Sequence, residues 1–383
     1  MIVKRRAVAL VLVAALVALT GCVQQGALTN PGWTVVAERD GIVYAALATG
    51  SVVALDAAQG GEVVWKYPEK VAAVGCGVAR TTDESGESLL NAVYGEPLVL
   101  DDVVLVGSFS GDLYAFGRES GKPEWTYQVD GAIVGGVTEA DGVLYFGSSD
   151  GKVYALDAAT REPVWAEPFA TGNRVWGTPR VDETRVYVAS MDHSVYAIER
   201  STGKMVWSYD LGASAPGTLT LADGRLYVGS VSRYLTCLSA ADGSELWRSP
   251  QYEAWVWGEA LVVGDGVYFG SLDGKMHALH AVDGSKLWND VQLNGAVRAG
   301  PALDGESLIV GTESGYVYTI DMSTGKESLL FGDREGEKLG AVLSTPVVSG
   351  NMVYVGTSIG NVVALDLTLR DPVVWVYPPT EAK

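Results

Sequence analysis

Three groups of side chains in this 383-residue chain have types and spacings that could do chemistry. The histidines are His193, His277 and His280. His277 and His280 stand three apart in MHALHA, an alternating stretch whose strand geometry sends them to opposite faces. His193 falls at a turn, so no metal site is expected. The cysteines are Cys22, Cys76 and Cys237. Cys237 takes a small apolar position and reads as a buried hydrophobe rather than a reactive thiol. Whether it pairs with Cys76 is left open. The third group is aromatic and basic: Arg174 and Trp176 in RVW, then Tyr252, Glu253, Trp255 and Trp257 in YEAWVW, with Arg298 further on. Tryptophan and arginine are the types most enriched at binding hot spots, so this group is fitted to bind rather than to react. No G-x-S-x-G elbow or phosphate-cradling loop occurs, and no catalytic residue is expected.

Whatever positions these groups must be built from a repeat. Trp65, Trp125, Trp165, Trp207, Trp247, Trp288, Leu329 and Trp375 recur at spacings of 60, 40, 42, 40, 41, 41 and 46 residues. That makes eight units of about 40 residues, with an insertion over residues 70–92 between the first and second. In the fourth unit, residues 179–182, 185–190, 194–199 and 204–209 read as four short strands with period-2 alternation. Asp-Gly pairs such as Asp150-Gly151 and Asp273-Gly274 supply hairpin turns in other units. Four antiparallel strands per unit, repeated eight times, predict an all-β, eight-bladed β-propeller. One four-stranded blade cannot cover both its faces; a closed ring of blades can. Residues 33–38 fit the first strand of the first unit and 372–377 the last strand of the eighth. The pattern leaves open whether the N-terminal strand instead closes the last blade. The recurrent tryptophan, and Leu329 in its place, are expected to dock each blade on its neighbour.

The signature, seen as SSDGKVYALDAATREPVW over residues 148–165, resembles the PQQ-type (pyrroloquinoline-quinone) propeller repeat. It covers essentially the whole of the chain that would remain after cleavage before Cys22. A dehydrogenase of that class would bring PQQ and calcium. The resemblance implies adjacent cysteines beside the quinone and long loops roofing it. This chain has no Cys-Cys pair and about 45 residues per unit, so neither PQQ nor calcium is expected.

The N-terminus points elsewhere. Lys4, Arg5 and Arg6 precede an apolar run over residues 7–19 that is too short to span a bilayer comfortably. Leu19-Thr20-Gly21-Cys22 follows, and resembles the bacterial lipobox, in which the cysteine becomes the lipidated mature N-terminus. Cleavage before Cys22 would remove 21 of the 383 residues and three positive charges, leaving 362 residues and moving the net charge from −19 to −22. So acidic a body is a poor ligand for nucleic acid or anionic lipid, so acyl chains would supply the membrane contact. Eight PQQ-type repeats behind a lipobox resemble the BamB family of outer-membrane-assembly lipoproteins. That resemblance implies a non-catalytic scaffold with envelope protein partners, including a β-barrel assembly machinery.

The expected layout is therefore a signal peptide over 1–21, a lipidated tether over 22–32 and one propeller over 33–383. A monomer is expected, extracytoplasmic and lipid-anchored: on the periplasmic face of the outer membrane where the host has one, otherwise on the outer face of the cell membrane. Function should sit where the repeats differ. Counting back eleven residues from the centre of each second strand reaches the segment leading into the innermost strand, near one mouth of the channel. In units two to eight this gives Tyr94, Val134, Trp176, Pro216, Trp257, Arg298 and Leu343. The candidate partner-binding rim is Tyr94, Arg174, Trp176, Tyr252, Glu253, Trp255, Trp257 and Arg298. The alternatives are a PQQ-dependent or ligand-sensing protein and a generic extracytoplasmic recognition module.

Overall fold

The computed structural model describes residues 32–69, 90, 92–332 and 340–379. Cys22, Cys76, the signal segment, the tether and nearly all of the insertion lie outside the described residues. The rest forms eight four-stranded antiparallel sheets, each made of strands consecutive in sequence. The blades span 35–67, 98–128, 138–170, 180–210, 220–248, 261–292, 302–331 and 347–377. No helix occurs among the described residues. First strands of successive blades adjoin around the axis, and the strand Val35–Arg39 touches both blade 2 and blade 8. The ring thus closes blade against blade, without exchange of a strand. The Thr34 amide bonds the Thr357 carbonyl at 3.3 Å, and the Ser344 hydroxyl bonds the Thr34 carbonyl at 3.1 Å.

The blades dock through one recurring contact. The Trp165 ring is 3% exposed, lies 5.9 Å from Tyr145 of its own blade and donates its indole N–H to the Arg200 carbonyl at 2.9 Å. It presses on Gly203 of the next blade, where an added Cβ would fall 2.7 Å from the indole. Gly203 has φ +72, a backbone that glycine adopts without penalty. The same tryptophan-on-glycine stack joins Trp65 to Gly121, Trp207 to Gly243, Trp247 to Gly284, Trp288 to Gly325 and Trp375 to Gly61. The small residue in the repeat's T-G turn therefore serves the preceding blade's tryptophan.

Two seams depart from it. At the second, Arg161 (φ +65) stands where glycine stands elsewhere, and its guanidinium lies 5.9 Å from the Trp125 ring. Trp125 is half-buried there. At the seventh, Leu329 is 54% exposed and docks nothing. The expectation for Leu329 is thus corrected: the register shift of this blade falls between Val317 and Tyr318, so Leu329 pairs with Tyr318 rather than Thr319, and the facing turn of blade 8, residues 367–371, carries no glycine. In these two blades the second-strand tyrosine is also replaced, by Leu105 and Ile309.

Blade 3 departs from the regular pattern within itself. Its fourth strand is only Phe169–Ala170, and Trp165 sits in the bend before it, tied by a single bridge between Leu156 and Pro163. Blade 6 is built the same way without a proline there, with a fourth strand of only Val291–Gln292 and a bridge between Leu279 and Lys286.

A candidate interaction face at the mouth of the channel

Six of the seven eleven-back positions come to one place. Tyr94, Val134, Trp176, Pro216, Trp257 and Leu343 line a central cavity of about 270 Å³, with Trp33 supplied by the segment entering blade 1. Arg298 is not in the lining; its guanidinium lies 4.7 Å over the Trp257 ring and its Nε pairs with Glu313 at 2.6 Å. Trp255 stacks on Trp257 at 6.2 Å and 21°, leaving Trp255 45% exposed. Trp176 donates its indole N–H to the Ser149 hydroxyl at 3.1 Å, while the exposed Arg174 guanidinium lies 5.9 Å from the Trp176 ring. Glu253 is exposed and pairs with Lys275 at 3.0 Å. Together with Arg233, Ala254, Trp255 and Leu272 it lines a shallow depression beside the mouth.

Tyr252 is a correction. It is 8% exposed and packs into the core on Phe269, 5.6 Å away, and His277, 4.0 Å away. Its amide is tied to the Arg233 carbonyl, which turns the side chain inward. Burial pushes its phenol up to about 12.

Counting along the sequence reached the mouth but missed what surrounds and underlies it. Trp33 packs edge-on against Tyr94 at 4.7 Å and donates to the Tyr94 carbonyl. Phe109, 40% exposed, adds a ring 5.7 Å from Tyr94. One pleat deeper, two residues past the mouth position, stand Glu96, Gly136, Thr178, Thr218, Glu259, Gly300 and Thr345. Arg180, two residues deeper again, pairs with Glu259 through Nε and Oε1 at 3.0 Å and through its second nitrogen and Oε2. Glu96 keeps surface toward the lumen, yet the ring surrounds it. That enclosure, with Glu259 nearby and only partly offset by Arg180, pushes its carboxyl up to about 7. The signal was in the sequence: the same count minus two picks out two carboxylates among small residues.

A second constellation lies inside blade 6. His277 Nε2 is 2.8 Å from the Ser271 hydroxyl, and its Nδ1 is 3.0 Å from Asp290. The spacing is that of a nucleophile, base and orienting acid. Ser271 and His277 are both fully buried, so no substrate reaches them. Nδ1 also lies out of line for a hydrogen bond to Asp290 despite the distance. The position belongs to the repeat's tyrosine, which elsewhere bonds the turn aspartate, as Tyr196 does Asp192 at 2.8 Å. His277 fills that slot under the larger Tyr252 and is structural.

Comparison with known proteins decides the family. The model of the family described as outer membrane protein assembly factor BamB, built of PQQ-type repeats, matches residues 23–167, 110–220, 166–296 and 212–382. The chain belongs to this family. A curated BamB from Xanthomonas campestris pv. campestris is 32% identical over 98 residues, 26% of this chain and 21% of that protein. The quinohemoprotein alcohol dehydrogenase ADH IIB of Pseudomonas putida is 36% identical over 90 residues, 24% of this chain and 12% of that protein. The matches thus span about a fifth and an eighth of those two relatives. Among solved structures, BamB from Moraxella catarrhalis superposes with a TM-score of 0.65 at 22% identity, over 86% of this chain and 92% of that one. The computationally designed Ika8 protein gives 0.71 at 16% identity, over 87% and 96%. These likenesses carry the fold.

Proposed function

We propose that this BamB-family chain is a non-catalytic scaffold, lipid-anchored through Cys22 at the cell envelope. Its channel-mouth face would dock protein partners of outer-membrane protein assembly. The observation that carries the docking reading is the exposed Trp255, stacked on Trp257 beneath Arg298, at the same channel mouth as the Arg174–Trp176 pair. Rings held on one side and open on the other supply contact area with little further ordering on binding. A β-barrel insertase is the partner this family membership favours.

The quinone reading meets an unfavourable lining. PQQ is a planar polycarboxylate, and the lumen offers it two carboxylates and one arginine already paired to Glu259. Among the described residues no three histidine, cysteine or acidic side chains gather to hold a metal ion beside it. The residues present do not fit the group.

The test is affinity purification from native membranes of the bacterium that makes this chain. Wild type should recover a β-barrel insertase. Trp255→Ala with Trp257→Ala should lose it while the protein remains folded and membrane-bound. Retention of the insertase by the double variant would overturn the assignment of this face. Release of the protein by Cys22→Ala would support the anchor.

A further inference from the structure

The lumen beneath the mouth carries an uncompensated charge. Glu259 spends both carboxylate oxygens on Arg180. Glu96 makes no hydrogen bond or ion pair with any described residue, although it stands in the same cavity. Two of the threonine hydroxyls at its level accept backbone amides, Thr178 from Gly136 at 2.8 Å and Thr218 from Thr178 at 3.0 Å, and neither bonds Glu96. Glu96 is exposed to the lumen and ringed by protein, and a carboxylate so placed gains from any cation that can reach it. Above it stand the rings of Trp33, Tyr94, Trp176 and Trp257, whose faces attract cations.

We infer that this lumen is a binding site for an alkylguanidinium, with Glu96 as its counter-charge and the mouth rings as its collar. The chemistry is already used twice at this site: Arg180 satisfies Glu259, and the Arg298 guanidinium lies on Trp257. A guanidinium is weakly hydrated, planar and able to stack, which suits an aromatic passage better than a compact ammonium does. A metal ion would want several oxygen donors, and among the described residues no such group exists. The inference concerns the lumen and stands whether or not the surrounding face docks an insertase.

Calorimetry of the mature protein with butylguanidinium at pH 8 tests it. One-to-one binding is expected, and the uncharged isostere butylurea should not bind. Glu96→Gln should weaken binding by roughly tenfold or more, the loss of one charge-assisted contact. Lowering the pH to 5.5 should weaken it similarly, because the carboxyl takes up a proton below about 7. Glu62→Gln, on the exposed outer strand of blade 1, should bind as wild type does. Thermal melts establish that the Glu96→Gln protein is folded; if it is not, Glu96→Asp, which keeps the charge and withdraws it, should weaken binding. A peptide acetyl-Gly-Arg-Gly-amide binding more tightly than butylguanidinium would identify a protein side chain as the source, and the reverse order a free small molecule. No binding at millimolar concentration, or binding untouched by Glu96→Gln in a folded protein, would overturn the inference.

Discussion

Trp165 and Trp255 are the same residue put to opposite uses. Trp165 is closed in on every side: by Tyr145 in its own blade, by Gly203 from the next and by a hydrogen bond at the indole nitrogen. Trp255 is fixed on one side only, by Trp257, and leaves nearly half its surface to solvent. The blade wall has spent its tryptophan on a neighbour; the channel mouth has not. The contrast separates the rings that hold the propeller together from those free to meet a partner.

The sharpest way to break the comparison is to truncate both. Trp165→Ala should cost about 3–5 kcal/mol of folding stability, the range for a large buried aromatic. Trp255→Ala should stay within about 0.5 kcal/mol, as surface changes usually do. Urea unfolding of the two variants measures both. Equal losses would show that Trp255 belongs to the wall. Next in size is the partner of the wall tryptophan. Gly203→Ala puts a Cβ into the Trp165 ring at a left-handed backbone position. It should cost about 1–3 kcal/mol in the same assay. A neutral outcome would mean that the ring can move aside, and that the glycine is there for the turn alone.

The blades were legible in the sequence because each obeys a local period: alternation within strands, turn residues between them and a tryptophan every forty or so residues. Counting from the second strand also found the mouth, since the inner strand sits at a nearly fixed offset. What escaped was whatever depends on two blades at once. Leu329 reads as a wall residue until the shifted register of its strand and a facing turn without glycine are seen. Tyr252 reads as rim because it stands close in sequence to Trp255 and Trp257, yet its N–H bonds the Arg233 carbonyl and its side chain packs into the core. Glu96, Glu259 and Arg180 lie on three different blades and become one lumen only when the ring closes.

The buried histidine sharpens the comparison by pH. Burial lowers the His277 pKa, opposed by Asp290 and Asp273 and assisted by Lys286, so the folded protein holds the ring neutral. The unfolded chain takes up that proton more readily as pH falls below about 6.5. Stability contributed by the neutral ring is therefore present at pH 7 and declines on acidification. His277→Gln keeps an amide for Ser271 and cannot titrate. Denaturant midpoints from pH 7 to 5 should fall more for wild type than for this variant. Parallel curves would show that the site does not sense pH.

The smallest expected effect probes the odd seam. Arg161→Gly installs at Trp125 the residue that every tryptophan-stacked turn elsewhere carries. It relieves a non-glycine residue at φ +65 but removes the guanidinium lying 5.9 Å from the ring. An exposed cation–π contact is worth about 0.5–1 kcal/mol, and a left-handed backbone costs a non-glycine residue about the same or somewhat more. The two nearly cancel, so stability should change by less than about 1 kcal/mol. The indole should nevertheless settle on the new glycine, seen as a blue shift of Trp125 emission in a background lacking the exposed Trp255. An unshifted spectrum would mean that the missing tyrosine at Leu105, rather than Arg161, keeps Trp125 half-buried.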